Sequence, residues 1–122
     1  MTVFAIGTGG FFGAIFRYLC AKQIGLWLGS SFPYGTLTVN AIGSLVLGFL
    51  SGFFIEHAVN NEFRMGLTVG CLGAFTTFST FSYESILLLQ QGDFLKLGIN
   101  VLSNVLICLI LCLIGLQFAK YL

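Results

Sequence analysis

Charge is what this chain has least of. Only 7% of its 122 residues are Asp, Glu, Lys or Arg, the formal net charge is +1, and proline and histidine occur once each. A soluble domain of this length has more surface than core and needs polar residues to cover it. Instead 57% of the residues are hydrophobic and the mean hydropathy is +1.02. That composition excludes an ordinary water-soluble globule and makes lipid the main solvent. No cluster of Lys and Arg is present, which removes the electrostatic footprint of nucleic-acid binding. Cys20, Cys71, Cys108 and Cys112 form no CxxC or Cys/His spacing, so they read as small packing residues rather than metal ligands. A GxxxxGK[ST] phosphate loop is missing, which argues against nucleotide-driven pumping. Met1-Thr2-Val3 lacks the basic start of a secretory signal, so the first apolar run is expected to stay as a span.

What the chain does have is long hydrophobic runs. A spanning helix takes about 20 mainly apolar residues, and such runs are found near Val3–Leu19, Tyr34–Phe54, Met65–Leu89 and Leu95–Phe118. The breaks between them are Gly25–Pro33, Glu56–Arg64 and Gln90-Gln91-Gly92-Asp93, with Pro33 placed where a helix can begin without using its missing N–H. The expected architecture is a single all-α transmembrane domain of four helices over residues 1–122. Sorted by loop, Arg17, Lys22 and Lys96 fall on one side and Arg64 and Lys120 on the other. So even a split gives little orientation signal. Either such a chain inserts both ways up and pairs antiparallel with itself, or its orientation is simply not encoded in its charge.

Polar residues within the runs are the first candidates for function, because each must pair or meet water. Gly10, Gly13, Ala14 and Arg17 share a face of the first helix, the small residues permitting close backbone approach. Arg17 either snorkels to the interface or draws anions into a vestibule. Thr36, Asn40 and Ser44 form a polar track in the second run, with Gly43 and Ser51 near it. Asn40 brings two amide donors and an acceptor that hydrocarbon cannot satisfy, so it either bonds another helix or lines a pore. In the third run, Gly70 to Ser85 mixes glycines with β-branched and hydroxyl residues, which predicts a break near the middle of that helix. Carbonyls freed there need a replacement partner, and a bound cation is one. Phe78 and Phe81 lie one turn apart in the same stretch. Two ring edges, which carry partial positive charge, favour an anion without trapping it as a full charge would. Asn100, Ser103 and Asn104 share a face of the fourth helix, with Cys108 one turn beyond.

Three stretches taken together resemble a known family: Gly9-Gly10-Phe11-Phe12-Gly13-Ala14-Ile15-Phe16-Arg17-Tyr18, Gly35-Thr36-Leu37-Thr38-Val39-Asn40 with Ile42-Gly43-Ser44, and Gly73-Ala74-Phe75-Thr76-Thr77-Phe78-Ser79-Thr80-Phe81-Ser82. In that order and spacing they are similar to the CrcB/Fluc fluoride channels. The resemblance implies a dual-topology, antiparallel homodimer in the bacterial plasma (inner) membrane, with two fluoride pores and one structural sodium ion at the interface. Its task would be passive export of toxic fluoride from the cytoplasm. By position Gly73 and Thr76 match the sodium ligands, acting through backbone carbonyls. Phe78 and Phe81 match the phenylalanines flanking the pore, Asn40 the pore-facing asparagine, and Thr80 and Ser79 hydroxyls of the ion path. Arg17 resembles the vestibule arginine and Glu84 the acid of the third helix. Where the family often has a second glycine at the break, this chain has Ala74. Ser103 and Asn104 are the candidates from the fourth helix. On this reading Thr36, Asn40 and Thr80 donate to the passing ion, which must be given donors in place of its water without any one site holding it too tightly.

Two other classes fit the composition. A small proton-coupled multidrug exporter also has four helices, but it needs an acid in mid-membrane, and Glu84 is the one candidate. A purely structural membrane subunit would pass no ion when purified alone. Mutation of Glu84 discriminates the first: sensitivity to cationic drugs would support the exporter, and sensitivity to fluoride the channel.

Overall fold

The computed structural model describes residues 1–122, and outside short turns the chain is helical throughout. Three helices are long and unbroken: α1 (Thr2–Leu28), α2 (Tyr34–Glu56) and, last in the chain, α6 (Phe94–Ala119). Each is long and apolar enough to cross a membrane. At about 1.5 Å per residue α1 is about 40 Å long, more than a hydrocarbon core of about 30 Å. The remaining run is helical in pieces: α3 (Asn61–Met65), a π-helical segment (Gly66–Leu72), α4 (Gly73–Phe75) and α5 (Phe78–Gln90). The break expected near the middle of the third run falls at Thr76 and Thr77, whose ψ angles of 159° and 118° are extended.

Boundaries follow local chemistry. α1 continues past the expected end at Leu19 and through Gly25, so the first connection is shorter than the Gly25–Pro33 break read from composition. Leu26-Trp27-Leu28 prolong the apolar run, a single glycine is tolerated inside a helix, and the stop comes at Gly29 with φ 83°. The second break is likewise partly helical. Asn60 caps α3, its Oδ1 accepting from the Glu62 N–H at 2.7 Å, so the chain re-enters helix before the apolar run begins. Thr77 caps α5 and Asp93 caps α6 in the same way.

Packing uses small residues rather than interlocking hydrophobes. α2 lies along α6, where a Cβ on Gly48 would overlap the Cys112 carbonyl and one on Gly115 the Leu45 carbonyl. Gly52 meets Ala119 on the same seam. α1 lies along the π segment, with Gly9 against the Gly66 carbonyl and Gly13 against that of Cys71. The close-approach face of α1 is therefore Gly9 and Gly13; Gly10 sits beside it with room to spare. Bringing backbones together in this way is how helices associate where no hydrophobic force separates protein from solvent.

The interior confirms which solvent surrounds the chain. Its buried side chains include Thr36, Asn40, Thr77, Ser85, Asn100 and Asn104, while the buried hydrophobes are only Phe32, Val39, Leu72, Leu88 and Ala119. Large apolar side chains such as Phe4, Phe11, Leu109 and Leu113 face outward. A water-soluble protein arranges these the other way round. The four cysteines are unpaired and half-buried, as packing residues would be.

Candidate functional site

The break is held open by a side chain. Asn40, in the second turn of α2, presents its carboxamide to the peptide groups at Thr77: the Thr77 N–H donates to Oδ1 at 2.7 Å, and Nδ2 donates to the Thr77 carbonyl at 3.0 Å. Asn40 thus acts as a surrogate peptide unit. An unbroken helix would direct the Thr77 N–H to the Gly73 carbonyl and the Thr80 N–H to that of Thr76. Here the first goes to Asn40 and the second to the Thr77 hydroxyl at 3.2 Å. The carbonyls of Gly73 and Thr76 are consequently among those left without a hydrogen-bond donor, with Gly73 exposed and Thr76 half-buried. Neutral oxygens released from helical bonding suit a hard cation, so the residues present fit one.

Around this point the fold assembles a groove of about 260 Å³ lined by Asn40, Thr76, Thr77, Phe78, Phe81 and Asn104, among others. Its aromatic wall is the pair Phe78 and Phe81, with ring centroids 5.4 Å apart and planes at 53°, so that an edge of one ring turns toward the other. Phe78 is 78% exposed, which leaves the groove open on one side of the single chain. No Asp, Glu, Lys, Arg or His lines it.

On the other side of Thr77 a second cavity of about 300 Å³ is lined by Arg17, Lys22, Thr36, Thr77 and Thr80. Arg17 is half-buried there and has no carboxylate partner, since the single ion pair of the chain is Lys96 with Asp93. A third cavity of about 410 Å³, between the end of α1 and α5, contains Lys22, Thr36, Glu84 and Gln91. Glu84 accepts the Thr36 hydroxyl on Oε1 at 2.9 Å, and its Oε2 is buried without a partner. Thr36 and Thr77 are shared between neighbouring cavities, so polar groups run from the mouth near Lys22 to the aromatic groove.

The structure therefore brings Asn40, Thr76, Phe78, Phe81 and Asn104 to one place and Arg17, Thr36 and Thr80 to the adjoining one. Ser79 stands outside both; it is exposed, with Oγ 3.4 Å from the Thr77 hydroxyl. Ser103 is half-buried and lines none of these cavities. Sequence reasoning did not single out Thr77, although a threonine three residues before another hydroxyl at a helix start is a capping signal. Nor did it reveal Ser85, which accepts from Asn100 Nδ2 at 3.0 Å and passes its own proton to the Phe81 carbonyl at 2.8 Å.

The asparagine pin joins the second and third resembling stretches at the break, and Gly13 of the first packs on the Cys71 carbonyl just before it. Residues 4–116 match the profile of the family described as CrcB-like protein, Camphor Resistance (CrcB). The chain belongs to the CrcB family. It is 43% identical, over its whole length and 99% of the relative, to the fluoride-specific ion channel FluC of Geobacter metallireducens. To the protein of that name in Vibrio campbellii it is 49% identical over 92% of this chain and 89% of the relative. For Vibrio vulnificus the values are 46%, 94% and 92%. This CrcB-family chain is accordingly a multi-pass membrane protein and not an enzyme.

Proposed function

We propose that the chain is a fluoride channel subunit that exports the ion passively from a bacterial cytoplasm, working as an antiparallel homodimer with two pores. The observation that carries this reading is the groove at Thr77, a site between membrane-length helices with amide, hydroxyl and aromatic walls and no formal charge. Fluoride holds its water strongly, so a path must offer polar replacements at each stage while keeping every stage shallow. Arg17 and Lys22 raise the local anion concentration at the mouth. Thr80 supplies a hydroxyl on the way in, the Thr36 hydroxyl being committed to Glu84, and Phe78 and Phe81 line the narrow section. The relatives' names and the 43–49% identities support fluoride as the ion. The open face beside the exposed Phe78 and the near-even distribution of Lys and Arg support a second, inverted copy as the missing wall.

The donor-free carbonyls of Gly73 and Thr76 would hold a sodium ion, with the partner copy supplying the equivalent pair. Bound there, the ion would neutralise carbonyl dipoles that hydrocarbon cannot solvate and fix the two breaks against each other.

The test is fluoride efflux from liposomes containing the purified protein, comparing wild type with Phe78→Ile and Asn40→Asp. Wild type is expected to empty the vesicles. Phe78→Ile removes a ring edge, and Asn40→Asp sets a carboxylate against the Thr77 carbonyl and Asn104 Oδ1, so both are expected to slow efflux by about tenfold or more. An impermeable wild type would overturn the function; three equal rates would overturn the site.

A further inference from the structure

The amide protons of the groove are already spoken for. Of the two on Asn40 Nδ2, one goes to the Thr77 carbonyl and the other to Asn104 Oδ1 at 3.0 Å. Those on Asn104 Nδ2 go to the backbone carbonyl and the side-chain Oδ1 of Asn100, each at 3.0 Å. The direction of this chain is not arbitrary. The Thr77 N–H can only donate and the Asn100 carbonyl can only accept, which fixes both carboxamides between them: Asn104 must turn its oxygen, not its nitrogen, toward Asn40. Asn100 is fully buried, does not line the groove, and is itself anchored by donating to Ser85 Oγ.

Resting on the fluoride reading, we propose that Asn100 is a positioning residue that tunes how firmly the groove holds its anion. By gripping both Asn104 amide protons, Asn100 keeps Asn104 Oδ1 on an amide proton of Asn40, and both of those residues line the groove. An arriving anion must displace that oxygen, and the oxygen returns to expel it. The groove has a donor to offer, but only against an internal competitor of similar chemistry, which keeps the site shallow. Loss of the Asn100 side-chain acceptor leaves Asn104 held by the backbone carbonyl alone, so its carboxamide turns over more readily; in the turned state its N–H joins that of Asn40 and the anion meets two donors and no competitor.

The experiment measures initial fluoride efflux from liposomes across a range of internal fluoride concentrations, for wild type, Asn100→Leu and Ser85→Ala. Asn100→Leu, which removes the side-chain acceptor and keeps the backbone one, is expected to lower the half-saturating concentration about fivefold, and to lower the maximal rate through slower release. Ser85→Ala, which leaves Asn100 in place but unanchored, is expected to move both values in the same direction by about threefold. A role confined to folding would reduce the maximal rate by reducing the number of working channels and leave half-saturation unchanged; that result in both variants would overturn the proposal. If Asn100→Leu does not fold, Ser85→Ala decides alone. A wild type that passes no fluoride would overturn the channel reading together with this one, whereas a conducting wild type with unmoved half-saturation in the variants would overturn this one only.

Discussion

The seam between α2 and α6 and the break at Thr76–Thr77 are neighbours in space, and they are held together by opposite means. Along the seam, Gly48, Gly52, Gly115 and Ala119 remove side chains so that backbones touch, and shape alone decides whether the helices meet. At the break, Asn40 adds a side chain where a peptide partner is missing, and polarity decides. Lipid makes both solutions necessary. It offers no hydrophobic force to press smooth helices together, and no water to satisfy an interrupted backbone.

Breaking the seam should have the largest effect. In Gly115→Leu the new side chain overlaps the Leu45 carbonyl and Phe49 N–H on a helix that cannot yield locally, and a cost of about 3 kcal/mol or more is expected. The check is size-exclusion in detergent, where the monodisperse peak should be lost. Removing the surrogate peptide should come next. Asn40→Leu leaves the Thr77 N–H and carbonyl buried and unpaired, at a cost of about 2–3 kcal/mol, read as a lower midpoint in denaturant titration. A variant at Thr77 sharpens the same point. Thr77→Val deletes the α5 cap while keeping shape, and a loss of about 1 kcal/mol is expected, with Thr77→Ser restoring most of it. The smallest effect lies outside both regions. The Lys96 ammonium and N–H, both bonded to Asp93, hold that half-exposed carboxyl below its ordinary value. A carboxyl with a lowered folded-state pKa contributes stability above its unfolded value and loses it as pH falls through the folded one. A slight drop in melting temperature is therefore expected only in strong acid, below the usual carboxylate range, and it should vanish in Asp93→Ala.

The two regions also differed in how far they could be read from the sequence. The break was legible because its cause is local. Gly70 to Ser85 is a poor helix centre on propensity alone, and the extended residues fall inside it. Its pin was not. Asn40 was visible as an expensive polar residue, but nothing in its own neighbourhood says that it spends its amide on a peptide 37 residues away. The seam was overlooked although Gly48-Phe49-Leu50-Ser51-Gly52 is a small-xxx-small pattern in plain view. Such patterns say that a helix can be approached, not by which partner, and α6 supplies the matching Gly115 and Ala119 only in space. The reach of α1 to Leu28 is hidden in the sequence for a related reason: Gly25 has the look of punctuation, whereas the stop depends on the positive φ of Gly29.

The interrupted helix leaves a further mark on the electrostatics of the chain. A helix that begins at Phe78 has its amino-terminal turn in mid-membrane, and aligned peptide dipoles give such an end about half a positive charge. That charge belongs to amides, which neither gain nor lose protons at any pH a cell survives. On the channel reading, an anion preference written into the backbone in this way would not depend on the protonation of any side chain.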